Sequence, residues 1–416
     1  MDAEHRRRGA LAIAAALVLA GCSRPLPPPE ALPTDAPTSA PAATDSSLRW
    51  ADGSTITSEP IDVDAARAAV PGSDFEVVST VPPGSTADGY LIPIRLTTDG
   101  RAVTARVPAG MSDPDPWLAA PMTVGLLDGA TFTPFAPAAP IAGDHPRQAF
   151  DASAAEGLTA WLETDSTQAG TPRWRVFSAG PDGRATLVAR AEELGDGGTS
   201  GAGSTMIARG RVYWTAGTPG RSDVYSRAAD GSGPLVVVAA GVSQPASSSR
   251  GVAVVRSERT DPSVPPGATS IELVVDGQQP QVLVTRSGPP GSAVVQLAAD
   301  RELLAFVAIT SGDSGGRLFV VDAAARTART IALRGSGREA SIALCDGRLQ
   351  WSEADGQGAG TSAPTFVLDV VSGELARIDV DHAYTGAMCS GRYLAWKQLD
   401  AAAGTSASTV VARWNG

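Results

Sequence analysis

Gly347-Arg348-Leu349-Gln350-Trp351 returns one stride later as Gly391-Arg392-Tyr393-Leu394-Ala395-Trp396. Leu303-Leu304-Ala305-Phe306 stands one stride earlier, so Phe306, Trp351 and Trp396 are each 45 residues apart. These are short apolar runs that end on an aromatic, and they read as buried strands because no 3.6-residue period runs through them. A polar Gly/Ser/Thr/Pro loop follows each run. Then comes a second apolar strand, often ending in Asp or Ser, a turn, and a third strand. These fall at 318–322 and 331–333 in one copy, and at 366–369 and 375–378 in the next, with Gly373 between. The copy opened by Gly391 continues at 409–414, and the chain stops at Gly416.

Upstream the unit repeats in looser form. Its strands are 157–161, 174–177 and 185–188, then 210–214, 224–226 and 235–238, then 251–255, 271–275 and 281–284. Asp182-Gly183, Asp230-Gly231 and Asp276-Gly277 are the turns, and Trp161 and Trp214 lie 53 residues apart. A strand takes about 5–6 residues, so four strands and their turns fill such a period. A period of 40–50 residues built from several short strands is that of β-propeller blades, and the expected class is all-β. Residues 48–141 are less regular. The run 123–132 with Asp128-Gly129 reads as an outer hairpin, and 90–96 and 102–107 read as strands, the first at an edge because of Pro93. One short helix is expected at 63–70, capped by Asp62 and ended by Pro71. Six copies and this region imply seven blades, with six or eight as alternatives. The last copy lacks a strand, so 75–78 is expected to complete it and close the ring, leaving no raw sheet edge.

Within 300–333, Leu304-Ala305-Phe306 and Phe319-Val320-Val321-Asp322 resemble the repeat of TolB-type propellers, and 391–396 and 366–373 carry the likeness more weakly. Ala299-Asp300-Arg301 stands where that repeat has Pro-Asp-Gly. The resemblance implies a propeller of a type found in binding scaffolds and in non-catalytic domains of peptidases. Fold alone does not choose between them.

The N-terminal segment carries a different signal. Arg6, Arg7 and Arg8 precede an apolar run from 10 to 20 that is too short to span a bilayer, and it ends in Leu19-Ala20-Gly21-Cys22. That pattern is a lipobox. Residues 1–21 are expected to be a lipoprotein signal peptide, leaving the Cys22 thiol to carry a diacylglycerol with acyl chains such as palmitate. Two acyl chains suffice for stable anchoring. Arg6-Arg7 fits either the general or the twin-arginine export route. Residues 22–47, rich in Pro, Ala, Ser and Thr, read as a tether, and 48–416 as the propeller.

Composition narrows the partners. Hydrophobic residues make up 43% of the 416, enough for a large core, and the net charge is −11. Without residues 1–21, which hold three Arg and two acids, it is −12. Such a chain repels phosphate backbones, so nucleic acid is not an expected partner. Lys397 is the only lysine.

Cys345-Asp346-Gly347-Arg348 and Cys389-Ser390-Gly391-Arg392 place two cysteines at equivalent repeat positions, near the channel where blades approach most closely. A Cys345–Cys389 disulfide is expected in an extracytoplasmic compartment. It would close a 45-residue loop, worth about 4 kcal/mol in the chain-entropy model.

No catalytic residue, metal site or cofactor is expected. Gly312-Asp313-Ser314-Gly315-Gly316 matches the nucleophile motif of chymotrypsin-type proteases, but it falls on the polar inter-strand loop. His145 and His382 lack the context of the histidine base that such a serine needs, and they are too isolated to bind zinc. Asp113-Pro114-Asp115 and Glu192-Glu193 with Asp196 lack a calcium-loop spacing. Gly-rich 195–203 has no P-loop lysine. The expected function is therefore a membrane-anchored lipoprotein on the extracytoplasmic face, whose propeller binds or scaffolds a protein, peptide or glycan of the cell envelope. The alternative is a hydrolase or lyase whose active site is scattered over several blades at the channel mouth.

Overall fold

The computed structural model describes residues 48–82, 85–86, 89–108, 122–137, 148–164, 173–194, 201–218, 221–258, 268–288, 292–310, 315–334, 340–353, 364–379, 386–399 and 407–415. They belong to one compact unit, Thr44–Gly416. It is built from six sheets, and helix is limited to the short 3-10 turns Val63–Ala65 and Ala191–Leu194 among the described residues.

Each blade is an antiparallel meander. The innermost strands are Gly89–Leu96, Gln148–Ala155, Gly201–Ala208, the second half of Val236–Ser248, Ala293–Asp300, Ser341–Cys345 and Met388–Ser390. Each touches the next, and Met388–Ser390 touches Gly89–Leu96, so they form a closed circle around a channel. Val236–Ser248 pairs with Arg221–Ala228 through its first half and with Gly251–Glu258 through its second. It is the outer strand of one blade and the inner strand of the next without a break, so two blades merge into the one eight-stranded sheet. The strand Gly89–Leu96 holds Pro93 on the channel side of its blade, where a missing N–H costs no ladder bond.

Cross-strand aromatic pairs anchor four of the repeats, while Trp396 lies opposite Val410. Trp161 lies opposite Phe177, Trp214 opposite Tyr225, Phe306 opposite Phe319 and Trp351 opposite Phe366. Ring centroids in these pairs are 5.4, 5.9, 5.2 and 4.9 Å apart. Directly opposed aromatics stabilise a strand pair, and their large faces fill the space between neighbouring sheets. Trp214, Phe306 and Trp351 are fully buried.

The segment 48–81 runs along the outer edges of four successive blades. Leu48–Trp50 joins Gln281–Ser287 antiparallel, Glu59–Ile61 joins Thr327–Ala332 parallel, Arg67–Ala68 joins Leu375–Ile378 parallel, and Phe75–Val81 joins Ala407–Trp414 antiparallel. Its apolar residues plug the seams between sheets. Leu48, Trp50 and Ile56 enter the cluster around Phe306, Ile61 and Val63 lean on the cluster around Trp351, and Phe75 enters the cluster around Trp396 and Trp414. Arginines on either side of the outer strand Thr327–Ala332 hold the acids of this segment: Arg326 with Asp52 at 3.1 Å and Arg334 with Asp64 at 2.7 Å. The helix expected at 63–70 is not formed. Asp62 caps a single 3-10 turn by accepting the Asp64 N–H, and Ala66 is already extended. Edge pairing with Leu375–Ile378 supplies hydrogen bonds that an isolated short helix would have had to nucleate alone.

Candidate functional site

The channel wall is shaped by β-bulges. Residue pairing slips once between Pro93 and Arg95, between Ala149 and Asp151, between Ala202 and Thr205, between Ser243 and Ala246, and between Val294 and Gln296. A bulge bends its strand and re-aims the side chain that follows. Arg95, Asp151, Thr205 and Ala246 all follow a bulge on successive inner strands, and they line one cavity of about 140 Å³. Ala298, Ala343 and Leu344 contribute the apolar side of the wall.

Asp151 Oδ2 accepts the Thr205 N–H at 2.5 Å and the Thr205 hydroxyl at 2.7 Å. Burial nevertheless raises the Asp151 carboxyl above the usual carboxylate range, against those two hydrogen bonds and the charge of Arg95. Burial likewise lowers the Arg95 guanidinium, and the charge of Asp151 opposes the shift. Both side chains keep a little surface open to the cavity while protein encloses them.

At one end of the channel the inner hairpin turns form a second surface. Glu156, Arg209 and Asp346 occupy the left-handed region at φ of 56°, 54° and 50°, each followed by a glycine with positive φ, the backbone of a tight hairpin turn. The turns are tied across blades. Glu156 accepts the N–H groups of Arg209 and Gly210, both at 2.7 Å, and Arg250 pairs with Glu302 at 2.5 Å. Between two of these blades lies a cleft of about 310 Å³ lined by Arg209, Arg250, Leu273, Gln278, Gln279 and Gln281. Gly251 lies close by, and a Cβ there would meet the Val274 carbonyl oxygen at 2.4 Å. The two backbones approach too closely for any larger residue.

Cys345 and Cys389 are bonded to each other, with Cα atoms 6.1 Å apart, and they join the inner strands Ser341–Cys345 and Met388–Ser390. Cys22, His145, His382, Ser314, Asp113 and Asp115 lie outside the described residues. Glu193 is engaged by Arg227 at 2.8 Å rather than held open for a cation. Among the described residues, no group of three His, Cys, Asp or Glu side chains is placed to hold a metal, and no helix is long and apolar enough to cross a membrane. Sequence reasoning missed Arg95, Asp151 and the glutamine cleft. The visible signal was a charge inside an otherwise apolar strand, as in Ile92-Pro93-Ile94-Arg95-Leu96.

No family model and no curated protein sequence matches the chain. Its fold has solved counterparts. The β-propeller domain of the trilobed protease from Pyrococcus furiosus aligns over 78% of this chain and 93% of that one, with 8% identity and a TM-score of 0.51. A prolyl endopeptidase aligns over 60% of this chain with 16% identity and a TM-score of 0.45, and the chain spans only 39% of that enzyme. TolB from Acinetobacter baumannii aligns over 79% and 78%, with 12% identity and a TM-score of 0.39. The chain is a β-propeller protein.

Proposed function

We propose that the protein is a lipoprotein anchored through Cys22 on the extracytoplasmic face of the membrane. Its closed ring of seven blades serves as a non-catalytic binding module for a protein, peptide or glycan of the cell envelope. The observation that carries this reading is the cleft of Arg209, Arg250, Gln278, Gln279 and Gln281 at the hairpin end of the ring. Planar amides and guanidinium groups offer paired donors and acceptors, which match peptide bonds and sugar hydroxyls. Gln278, Gln279 and Gln281 are exposed, so a large ligand reaches them without entering the channel. Cross-blade ties hold the turns that carry Arg209 and Arg250, and Arg211 pairs with Asp276 of the glutamine turn at 3.1 Å, which lowers the ordering cost of binding.

The test is a binding screen of the purified full chain against envelope peptides and oligosaccharides, with calorimetry on the hits. Saturable binding that weakens about tenfold or more in the double variant Gln279→Ala, Gln281→Ala is the expected result. Chemical turnover of a bound peptide or glycan, seen as new products by mass spectrometry, would replace this reading with the hydrolase or lyase alternative.

A further inference from the structure

Arg95 and Asp151 face one cavity without completing each other. Among the described residues the Arg95 guanidinium has no hydrogen bond and no ion pair, and Asp151 spends Oδ2 on Thr205 while Oδ1 accepts nothing. A half-buried guanidinium without a protein partner costs some desolvation, as does a half-satisfied carboxylate, although both side chains keep surface open to the cavity. Two successive inner strands nonetheless each place a bulge, at Ile94 and at Phe150, immediately before the charged residue. Both charges are thereby turned into the same space.

We propose that this cavity is a binding site for a small zwitterion of the α-amino-acid type, its carboxylate held by Arg95 and its ammonium by Asp151. The ligand class follows from charge balance. A simple anion would gain Arg95 but sit in the field of Asp151 at low effective dielectric, and a simple cation would meet the reverse. A molecule carrying both charges complements both groups, and Arg offers a carboxylate two parallel N–H donors. The cavity of about 140 Å³ admits a small amino acid. Ala246, Ala298 and Ala343 on its wall leave room for a short side chain, and the hydroxyls of Ser153, Ser204 and Ser247 stand on the same wall. The site is separate from the glutamine cleft and does not depend on it.

Calorimetric titration of the purified full chain with glycine, L-alanine and L-serine, beside acetate and methylammonium at equal ionic strength, tests the proposal. Saturable binding of an amino acid, at least about tenfold tighter than acetate or methylammonium, is the expected result, with a loss of about tenfold or more in Arg95→Gln and in Asp151→Asn. Acetate binding as tightly as L-alanine would make the cavity a plain anion site and overturn the proposal. So would the absence of binding by all three amino acids at millimolar concentration, or binding unchanged in both variants. Thermal unfolding of each variant is recorded alongside. Should a variant fail to fold, the ranking of ligands on the unaltered chain decides.

Discussion

Phe75 lies directly opposite Trp414, with their ring centroids 6.1 Å apart and their planes stacked. The pair joins the start of the last outer strand to the final residues of the chain. Phe75 also meets Trp396 edge-on at 5.5 Å, so one side chain bridges two strands of the blade that completes the ring.

Truncation tests this closure. A chain from Pro82 onward loses Phe75–Val81 and with it the outer edge partner of Ala407–Trp414. It also loses Leu48, Trp50 and Ile56 from the seam around Phe306. It is expected to melt broadly and well below a chain from Leu48 onward, because exposed edges and opened seams remove cooperativity. The single variant Phe75→Ala is expected to cost about 3 kcal/mol in urea unfolding, as for other buried aromatics cut to alanine.

The Cys345–Cys389 bond ties two inner strands, and its loss frees a 45-residue loop in the unfolded chain. The double variant Cys345→Ser, Cys389→Ser is expected to lose about 4 kcal/mol if the entropic account holds. Non-reducing peptide mapping of exported protein should show the linked pair, and thiol labelling of both residues in that protein would contradict it.

Acid should loosen the outer segment at Arg67. Asp74 pairs with Arg67 at 2.6 Å, and that hydrogen bond, helped by the Val70 N–H, holds its carboxyl below the ordinary value of 3.8. A depressed folded-state pKa means that the contribution is complete above that ordinary value and fades as the pH falls toward the lowered one. Asp74→Asn should therefore cost about 1 kcal/mol at neutral pH. The gap between variant and parent should shrink below pH 3.8. A gap that stayed constant down to strongly acidic pH would argue that the pair contributes through packing alone.

Cys22→Ala should leave the precursor unprocessed or release the protein from the membrane, as read by fractionation and N-terminal mass spectrometry. A variant that remained membrane-bound with an unchanged N-terminus would remove the lipid anchor from the proposed function.

The fold was legible wherever local pattern repeated. The Gly-Arg turn at 347 and 391, and the aromatics Phe306, Trp351 and Trp396 at one stride, encode strands whose buried partners come from the next strand of the same meander. The matched placement of Cys345 and Cys389 was legible for the same reason. The path of 48–81 was not. Glu59–Ile61 and Arg67–Ala68 are two or three residues each and pair in parallel with strands more than 250 positions later. Nothing within so short a segment specifies a partner at that distance. Even the Asp62 signal was read as a helix because the competing edge was invisible. The inward aim of Arg95 and Asp151 was equally out of reach. Strand alternation assigns a face only while the register is unbroken, and a bulge reverses that assignment according to which strand lies alongside. The sequence by itself determined the repeating unit, its aromatic anchors and the matched repeat positions of Cys345 and Cys389. Tertiary structure alone decided how the ends are laced together and which charges meet in the channel, because both depend on contacts between segments far apart in the chain.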